Sequence, residues 1–154
     1  MLVLNVHRSK YGVCLESLWP YQPNKFAVAP PQTCYTAASQ HKVLKANSVP
    51  TTLAAMKAVL NAGFPFVIGI AVYSSFESND VARTGMVPVP NTKTEQLLGG
   101  HAVLCCGYDD AKQCFIMRNS WGQGWGIKGY FYIPYVYLTN PSLSSDAWTI
   151  TSVA

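Results

Sequence analysis

His101 is the residue of this sequence whose surroundings best suit chemistry. It follows Gly99-Gly100 and opens the apolar run Ala102-Val103-Leu104. A histidine at the end of a buried strand can expose its ring to a cleft while its backbone stays fixed, and an imidazole held in this way can act as a general base. Taken alone, such a histidine is more often an ordinary core or surface residue.

A second informative segment begins at Arg118. It consists of Arg118-Asn119-Ser120-Trp121-Gly122 and continues as Gln123-Gly124-Trp125-Gly126. An asparagine at the end of a hairpin strand can place its side-chain oxygen against an imidazole N–H, which fixes the orientation and tautomer of the ring. A tryptophan that follows can exclude water from that hydrogen bond. A structural corner of tryptophans and glycines would not explain a histidine and an asparagine at paired strand ends.

A β-hairpin is needed to bring these two residues together. The apolar runs Ala102 to Gly107 and Cys114 to Met117 are joined by Tyr108-Asp109-Asp110-Ala111-Lys112, which is typical of a hairpin. Further strands are predicted at Phe66 to Tyr73, buried on both faces, at Tyr130 to Tyr137 and at Ala147 to Val153.

One amphipathic helix is predicted before these strands. Thr51 or Thr52 can cap it, Gly63 supplies its end, and one face carries Leu53, Met56, Val59 and Leu60. Residues 74 to 98 are polar and contain Gly85, Pro88 and Pro90, so we expect an exposed loop that leaves the core. Several strands and one helix predict an α+β fold with a small twisted sheet or barrel.

The segment from residue 11 to about residue 48 differs from the rest. Prolines typical of turns and loops recur in it, at Trp19-Pro20-Tyr21, Pro23-Asn24 and Pro30-Pro31. A Pro-Pro pair cannot lie inside a helix or a central strand. We therefore expect a long loop with little regular structure. Such a loop in a compact domain is usually functional or packs on another element.

Composition excludes several classes of function. Of the 154 residues, 49% are hydrophobic and 12% are charged, which is typical of one globular domain with its own core. The net charge of +4 arises without a dense run of Lys or Arg, so no nucleic-acid surface is predicted. No apolar run approaches about 18 residues, so no membrane span is predicted.

No metal and no cofactor are implied. The other two histidines, His7 and His41, lie in polar surroundings and are predicted at the surface, and there is no Cys-x-x-Cys motif. The apolar start Met1 to Val6 is short and precedes its positive charges, whereas a signal peptide places charge first. The compartment is left open.

Five cysteines make an odd count, so at least one is not paired within the chain. Cys105 and Cys106 are neighbours in a predicted strand and point to opposite faces, so they do not bond each other. Cys114 lies across a short turn and could face one of them. We expect all three to be small buried hydrophobic residues.

Several of these segments together resemble the C-terminal half of papain-like cysteine peptidases. They are Gly99 to Val103 with His101, Arg118 to Gly122 with Asn119, Trp125-Gly126 and Gly129-Tyr130. The step of 119 − 101 = 18 residues suits strand, turn and strand. Upstream, Tyr11-Gly12-Val13-Cys14, Trp19-Pro20-Tyr21 and Cys34 resemble the passage from the left, helical domain of that family into its right, barrel-like domain. The resemblance covers roughly residues 11 to 154, while Met1 to Lys10 match poorly.

The resemblance implies an α+β fold, a papain-like right domain built on a barrel-like antiparallel sheet, with a remnant of the left domain. Residues 1–48 would be the loop-rich remnant and residues 49–154 the right domain. The implied chemistry is peptide-bond hydrolysis through a thioester, with a thiolate kept ionised by an imidazolium. Substrates would be peptides or proteins.

The resemblance also implies a role for each site residue. His101 would be the general base and Asn119 its orienting partner, while Trp121 would shield the pair. Trp125 would flank the leaving-group side of the cleft, and Gly100 would border the pocket for the second side chain of the substrate. Cys34 lies where the family often has a disulfide cysteine, whose partner would fall outside this sequence.

The sequence departs from the family pattern at the nucleophile. The family places it in a Cys-Gly-x-Cys-Trp segment about 130–150 residues before the histidine, but only 100 residues precede His101 and no such segment occurs. Cys14 precedes His101 by 101 − 14 = 87 residues, and its context lacks the glycine and tryptophan. The nucleophile is therefore expected on a missing N-terminal segment or on a separate chain.

Three interpretations remain open at this point. The chain is part of an active peptidase, or a non-catalytic relative that serves as a binding module, or another enzyme with a cysteine-histidine site, such as a cell-wall amidase. The Asn119-Ser120-Trp121-Gly122 run disfavours the third. We also expect an exposed apolar surface on the face where the rest of the family's fold would dock.

Overall fold

A computed structural model describes residues 10–153 of the chain. The described residues form two compact units: residues 10–46 with 150–153, and residues 47–149. His7, which the sequence predicts at the surface, lies outside the described residues. The predicted boundary between a remnant domain and a right domain stays a prediction.

The chain forms mainly strands with a few short helices. The strands are β1 Val43–Ser48, β2 Phe66–Tyr73, β3 Leu97–Asp109, β4 Cys114–Arg118, β5 Tyr130–Pro134 and β6 Ser144–Val153. The helices are α1 Gln32–Ala38, α2 Leu53–Asn61, α3 Asn79–Thr84 and α4 Tyr135–Leu138, and a 3-10 turn spans Pro23–Lys25. The strand order is β1-β6-β2-β3-β4-β5. The predicted α+β class with an antiparallel sheet is confirmed. None of the described helices is long and apolar enough to cross a membrane.

Strand β2 has the bounds that the sequence predicts. It pairs antiparallel with β3 on one side and with β6 on the other. One of its faces is buried, but the other, which carries the small residues Gly69 and Ala71, is only half-buried. The prediction of burial on both faces is therefore wrong for the second face, because only the first face packs fully into the core.

Helix α2 also follows its sequence signals. The side chain of Thr52 accepts a hydrogen bond from the backbone N–H of Ala55 at 3.3 Å, as expected of a helix cap. At the other end Gly63 adopts φ +83°, a left-handed conformation that glycine tolerates without strain. Met56, on the predicted apolar face, is fully buried.

The segment of residues 74–98 is not the exposed loop that its polarity predicts. Phe76, Val81 and Val87 are buried in the core of the second unit. Helix α3 lies inside the segment, capped by the Ser78 side chain, and Gly85 ends it with φ +68°. A few apolar anchors fix the segment, while the polar residues between them remain outside.

Residues 11–48 contain more regular structure than expected. Pro31 is the residue that caps the start of α1, where the missing N–H of a preceding proline costs no helical hydrogen bond. The Pro30-Pro31 pair therefore marks the start of a helix rather than a continuing loop. Strand β1 follows at Val43.

The predicted hairpin is present with a longer first strand. Strand β3 already begins at Leu97, so Gly99 and Gly100 lie within the strand rather than before it. The strand predicted at Tyr130 to Tyr137 ends at Pro134 and gives way to α4. The strand predicted from Ala147 already begins at Ser144.

Candidate active site

His101 is fixed by the middle of the sheet. Strand β3 pairs it with Ile70 of β2, and its side chain is half-buried. The next residues of β3 pair with the end of β4, where Leu104 lies opposite Arg118. Asn119 follows immediately, so the topology brings the histidine and the asparagine to one end of the hairpin.

The two side chains are in direct contact. The Nε2 atom of His101 lies 2.9 Å from the Oδ1 atom of Asn119. The backbone N–H of Ser120 also donates to the same Oδ1 atom at 2.8 Å. A backbone N–H can only donate, so this contact identifies the asparagine atom as the acceptor oxygen. Nε2 of His101 must then carry the proton, and Nδ1 is left as the basic nitrogen of the neutral ring.

Asn119 is held firmly in this orientation. Its backbone N–H donates to the carbonyl of Gly129 at 2.9 Å, and the residue is only 8% exposed. Its Nδ2 group is buried and has no hydrogen-bond partner within residues 10–153. An unmet buried donor costs about 1–3 kcal/mol. This donor is therefore a place where a further acceptor would stabilise the site.

Trp121 covers the imidazole. Its indole stacks on the ring of His101 with 5.1 Å between centroids and 21° between planes. It remains 41% exposed, so part of the indole is open to solvent. The role of Trp121 in shielding the histidine–asparagine pair from water stays a prediction.

Phe76 supports this arrangement from inside, although its sequence context contains little sign of that role. It is 1% exposed, and its ring packs edge to face against two others. Its centroid lies 6.5 Å from that of the His101 ring and 5.7 Å from that of the Trp121 ring. It also stacks on Trp125 at 5.7 Å and meets Phe131 at 5.4 Å. The available clue is a large aromatic residue within a polar segment.

The turn that carries both tryptophans depends on close backbone approaches. Gly126 has φ +60°, and a Cβ atom there would lie 2.5 Å from the carbonyl oxygen of Tyr130. Its N–H donates to the carbonyl of Ala82 at 2.7 Å. A glycine is required at this position, which explains part of the glycine content of the segment.

The two predicted cleft residues lie in different settings. Gly100 is exposed on β3 and pairs with Ala71 of β2. Trp125 is half-buried and packs on Phe76 and Phe131. Their roles toward a substrate stay predictions.

The cysteines of the hairpin do not offer an activated thiol. Burial raises the pKa of Cys105 far above its usual range, and burial also raises the pKa of Cys114. Cys106 is exposed, contrary to the expectation that it is buried, because it points to the opposite face of β3 from the buried Cys105. A thiol whose pKa is raised is a weak nucleophile at neutral pH. Among residues 10–153 there is no cluster of three potential metal ligands.

Comparisons with known proteins place the chain among the cysteine proteases. The sequence model of the papain family cysteine proteases matches residues 3–145. An uncharacterized peptidase C1-like protein of Acanthamoeba polyphaga mimivirus is 42% identical over 153 residues, covering 94% of this chain and 49% of that protein. Cysteine proteinase 2 of Entamoeba histolytica is 32% identical over 125 residues, covering 79% of this chain and 37% of that protein.

The crystal structure of xylellain, a cysteine protease from Xylella fastidiosa, matches with a TM-score of 0.87 at 37% identity, covering 97% of this chain and 60% of that one. The chain belongs to the papain family of cysteine proteases. The match begins at residue 3, so it includes most of the Met1 to Lys10 segment that the motifs leave out. The chain spans about half or less of the length of the two curated relatives.

Proposed function

We propose that this chain supplies the base half of a cysteine-peptidase site, with His101 as general base and Asn119 as the residue that orients it. The observation that carries the proposal is the shared Oδ1 atom of Asn119, which accepts from both the ring of His101 and the N–H of Ser120. This arrangement leaves Nδ1 of His101 free to take a proton from a thiol. A neutral imidazole facing a thiol is the pair that activates cysteine nucleophiles.

The nucleophile in this proposal comes from outside the 154 residues. The sequence contains no Cys-Gly-x-Cys-Trp segment, and burial raises the pKa of the buried thiols Cys105 and Cys114. The relatives are longer than this chain, which leaves room in them for such a segment.

The reaction would then be peptide hydrolysis in two steps. The thiolate attacks the peptide carbonyl carbon, and the protonated His101 gives its proton to the leaving amine as the C–N bond breaks. The product is a thioester on the cysteine. His101 next removes a proton from water as the water oxygen attacks the thioester carbon. The C–S bond then breaks, the acid product is released, and the leaving thiolate recovers the proton from His101. Substrates are peptides or proteins.

The second unit exposes apolar side chains that an additional docked segment could cover. Exposed apolar side chains of the second unit include Met86, Val89, Leu97, Leu98, Trp121 and Ile127. The donor of Asn119 Nδ2 also lacks an acceptor among the described residues. A docked segment would bury apolar area and could satisfy that donor.

A hybrid enzyme tests the proposal directly. The part of xylellain that this chain does not cover is fused to this chain, and hydrolysis of fluorogenic peptides is measured. We expect activity, a loss of about 10²–10⁴-fold in kcat/KM for His101→Ala, and a smaller loss for Asn119→Ala. His41→Ala is the matched control, since His41 is exposed and belongs to the other unit. A folded hybrid without activity, or full activity in His101→Ala, would refute the proposal.

The isolated chain permits a test that needs no activity. Nitrogen-15 NMR of the imidazoles at alkaline pH should show the Nε2–H tautomer for His101. The Asn119→Ala variant should lose that preference, while the spectrum of His41 stays unchanged. An Nδ1–H tautomer in the parent chain would contradict the assignment of the base.

A binding role without catalysis is the second candidate. It requires the 154-residue chain alone to bind peptides, and the peptidase proposal requires the fused segment. Titrating the chain and the hybrid with the same labelled peptides separates the two.

A further inference from the structure

Two cysteines of the first unit line the same cavity. Cys14 and Cys34 both face a cavity of about 760 Å³, whose other lining residues are Tyr11, Gly12, Val13, Pro30, Gln32, Tyr35 and Ala38. Cys34 is 4% exposed and Cys14 is half-buried. Neither belongs to the histidine–asparagine site, so the proposed peptidase chemistry does not use them.

Residues 11–13, which precede Cys14, pack against the C-terminal end of helix α1. The N–H of Val13 donates to the carbonyl of His41 at 3.1 Å. Gly12 approaches the end of the helix so closely that a Cβ atom there would lie 1.8 Å from the carbonyl oxygen of Ala38. The rings of Tyr11 and Tyr35 also meet edge to face at 6.2 Å. These contacts fix the cavity wall on both sides of the two thiols.

The two thiols are neighbours within this cavity. The Sγ–H of Cys34 donates to the carbonyl oxygen of Leu18 at 3.7 Å. Burial and the neighbouring Cys14 raise the pKa of Cys34. A half-buried thiol beside a fully buried one is a geometry in which the outer thiol reacts first and the inner one completes the bond.

We propose that Cys14 and Cys34 form a disulfide that closes the segment between them. The span is 34 − 14 = 20 residues. This pairing differs from the expectation that Cys34 bonds a cysteine outside the sequence. It stands independently of the proposed peptidase function, because it involves only residues of the first unit.

The bond forms by exchange with a low-molecular-weight disulfide such as glutathione disulfide. The thiolate of Cys14 attacks one sulfur of the reagent, and one glutathione leaves as its thiolate. The thiolate of Cys34 then attacks the Cys14 sulfur of the mixed disulfide, and the second glutathione leaves. Two cysteine protons and two electrons pass to the two glutathione molecules.

The segment that the bond would close has few other restraints. Its regular structure consists of the 3-10 turn Pro23–Lys25 and the start of α1, and several of its large side chains are open to solvent, with Tyr21 83% and Phe26 92% exposed. A segment with so little buried surface gains most from a covalent link, because the link restricts its unfolded conformations.

Peptide mapping tests the bond in the full chain. The protein is equilibrated in a buffer of glutathione and glutathione disulfide, blocked with iodoacetamide under denaturing conditions and digested with trypsin. Cleavage after Lys10, Lys25 and Lys42 places Cys14 and Cys34 on separate peptides. We expect those two peptides to be joined, and to separate on reduction. The intact protein should take three iodoacetamide groups, against five for the reduced chain.

Variants separate this bond from accidental oxidation. Cys14→Ser and Cys34→Ala should each abolish the joined peptides, and Cys34→Ala should leave a glutathione adduct on Cys14. Cys106→Ser is the control, since Cys106 is an exposed cysteine of the other unit and its loss should leave the joined peptides unchanged. The proposal is overturned if the parent chain takes five iodoacetamide groups, or if Cys14 pairs with glutathione or Cys106 instead of Cys34.

Discussion

The two units of this chain are stabilised in different ways. The second unit contains a hydrophobic core of large side chains, among them Phe66, Phe115, Phe131 and Ile133, each fully buried. Within the described part of the first unit only Cys34 and Ala38 are buried, while Tyr21 and Phe26 are open to solvent. One unit therefore rests on apolar burial, and the other rests on a few backbone contacts and a pair of thiols.

This difference indicates which part of the chain carries its own fold. Burial of apolar surface is the main favourable term in folding, so the second unit should unfold cooperatively and last. The first unit should open locally at lower cost, because its backbone contacts are few and its apolar side chains remain hydrated in either state. Four measurements test this difference between the units.

The largest effect is expected from truncating the core of the second unit. Phe115→Ala removes a fully buried ring that contacts Phe66 and Tyr135 edge to face. The loss should be about 3–5 kcal/mol of the free energy of unfolding, measured by urea denaturation. Phe26→Ala in the first unit should cost less than about 0.5 kcal/mol, as expected of an exposed position. Equal losses would refute the comparison.

The next effect concerns the backbone contacts of the first unit. Gly12 has φ +80° and no room for a Cβ atom beside Ala38. Gly12→Ala should therefore destabilise the first unit by about 1–3 kcal/mol, seen as faster hydrogen exchange at the Val13 amide with little change in the second unit. Gly63→Ala is the matched control, because Gly63 has φ +83° but open space around it. Undiminished protection at Val13 in Gly12→Ala would contradict this account.

Local signals in the sequence predict much of the second unit. The cap at Thr52, the stop at Gly63 and the bounds of β2 are predictable because short-range chemistry determines each of them. The contact between His101 and Asn119 follows from the hairpin, which brings the residue after β4 beside a histidine within β3. The roles of these residues in catalysis stay predictions.

The missed features depend on contacts between distant parts of the chain. Phe76 is buried because Trp121, Trp125 and Phe131 surround it, and nothing in the polar residues beside it reveals that. Cys106 is exposed because its face of β3 is left uncovered beside the buried Cys105, and alternation along the strand does not show which of the two faces is covered. The pairing of Cys14 with Cys34 requires the docking of one segment on a helix.

A smaller effect is expected where the core meets the candidate site. Phe76→Leu keeps an apolar side chain but removes the edge-to-face contacts with His101 and Trp121. We expect a loss of about 0.5–1.5 kcal/mol in stability and a clear change in the ring resonances of His101, measured by NMR. Phe64→Leu is the matched control, a more exposed phenylalanine of the same unit. Unchanged His101 resonances in Phe76→Leu would show that Phe76 does not position the site.

The smallest effect is expected from a surface contact of the second unit, and it depends on pH. The ammonium of Lys57 and the hydroxyl of Tyr135 both donate to the carboxylate of Asp110. These bonds hold the pKa of Asp110 below its ordinary value of 3.8. As the pH falls, the carboxylate of Asp110 therefore takes up a proton at a higher pH in the unfolded chain than in the folded chain. The stabilisation that Asp110 gives the folded state is complete above the unfolded pKa of 3.8 and is lost as the pH falls through the lower, folded pKa.

Asp110→Asn should accordingly flatten the dependence of unfolding free energy on pH in this acid range, measured by urea denaturation at a series of pH values. Tyr135→Phe, which keeps the ring and removes one donor, should flatten it less. Some slope should remain in both variants, because the ammonium of Lys112 also lowers the pKa of Asp109. If Asp110→Asn retains the full slope, the acid sensitivity originates elsewhere, and surface charges would add nothing to the apolar burial that distinguishes the second unit.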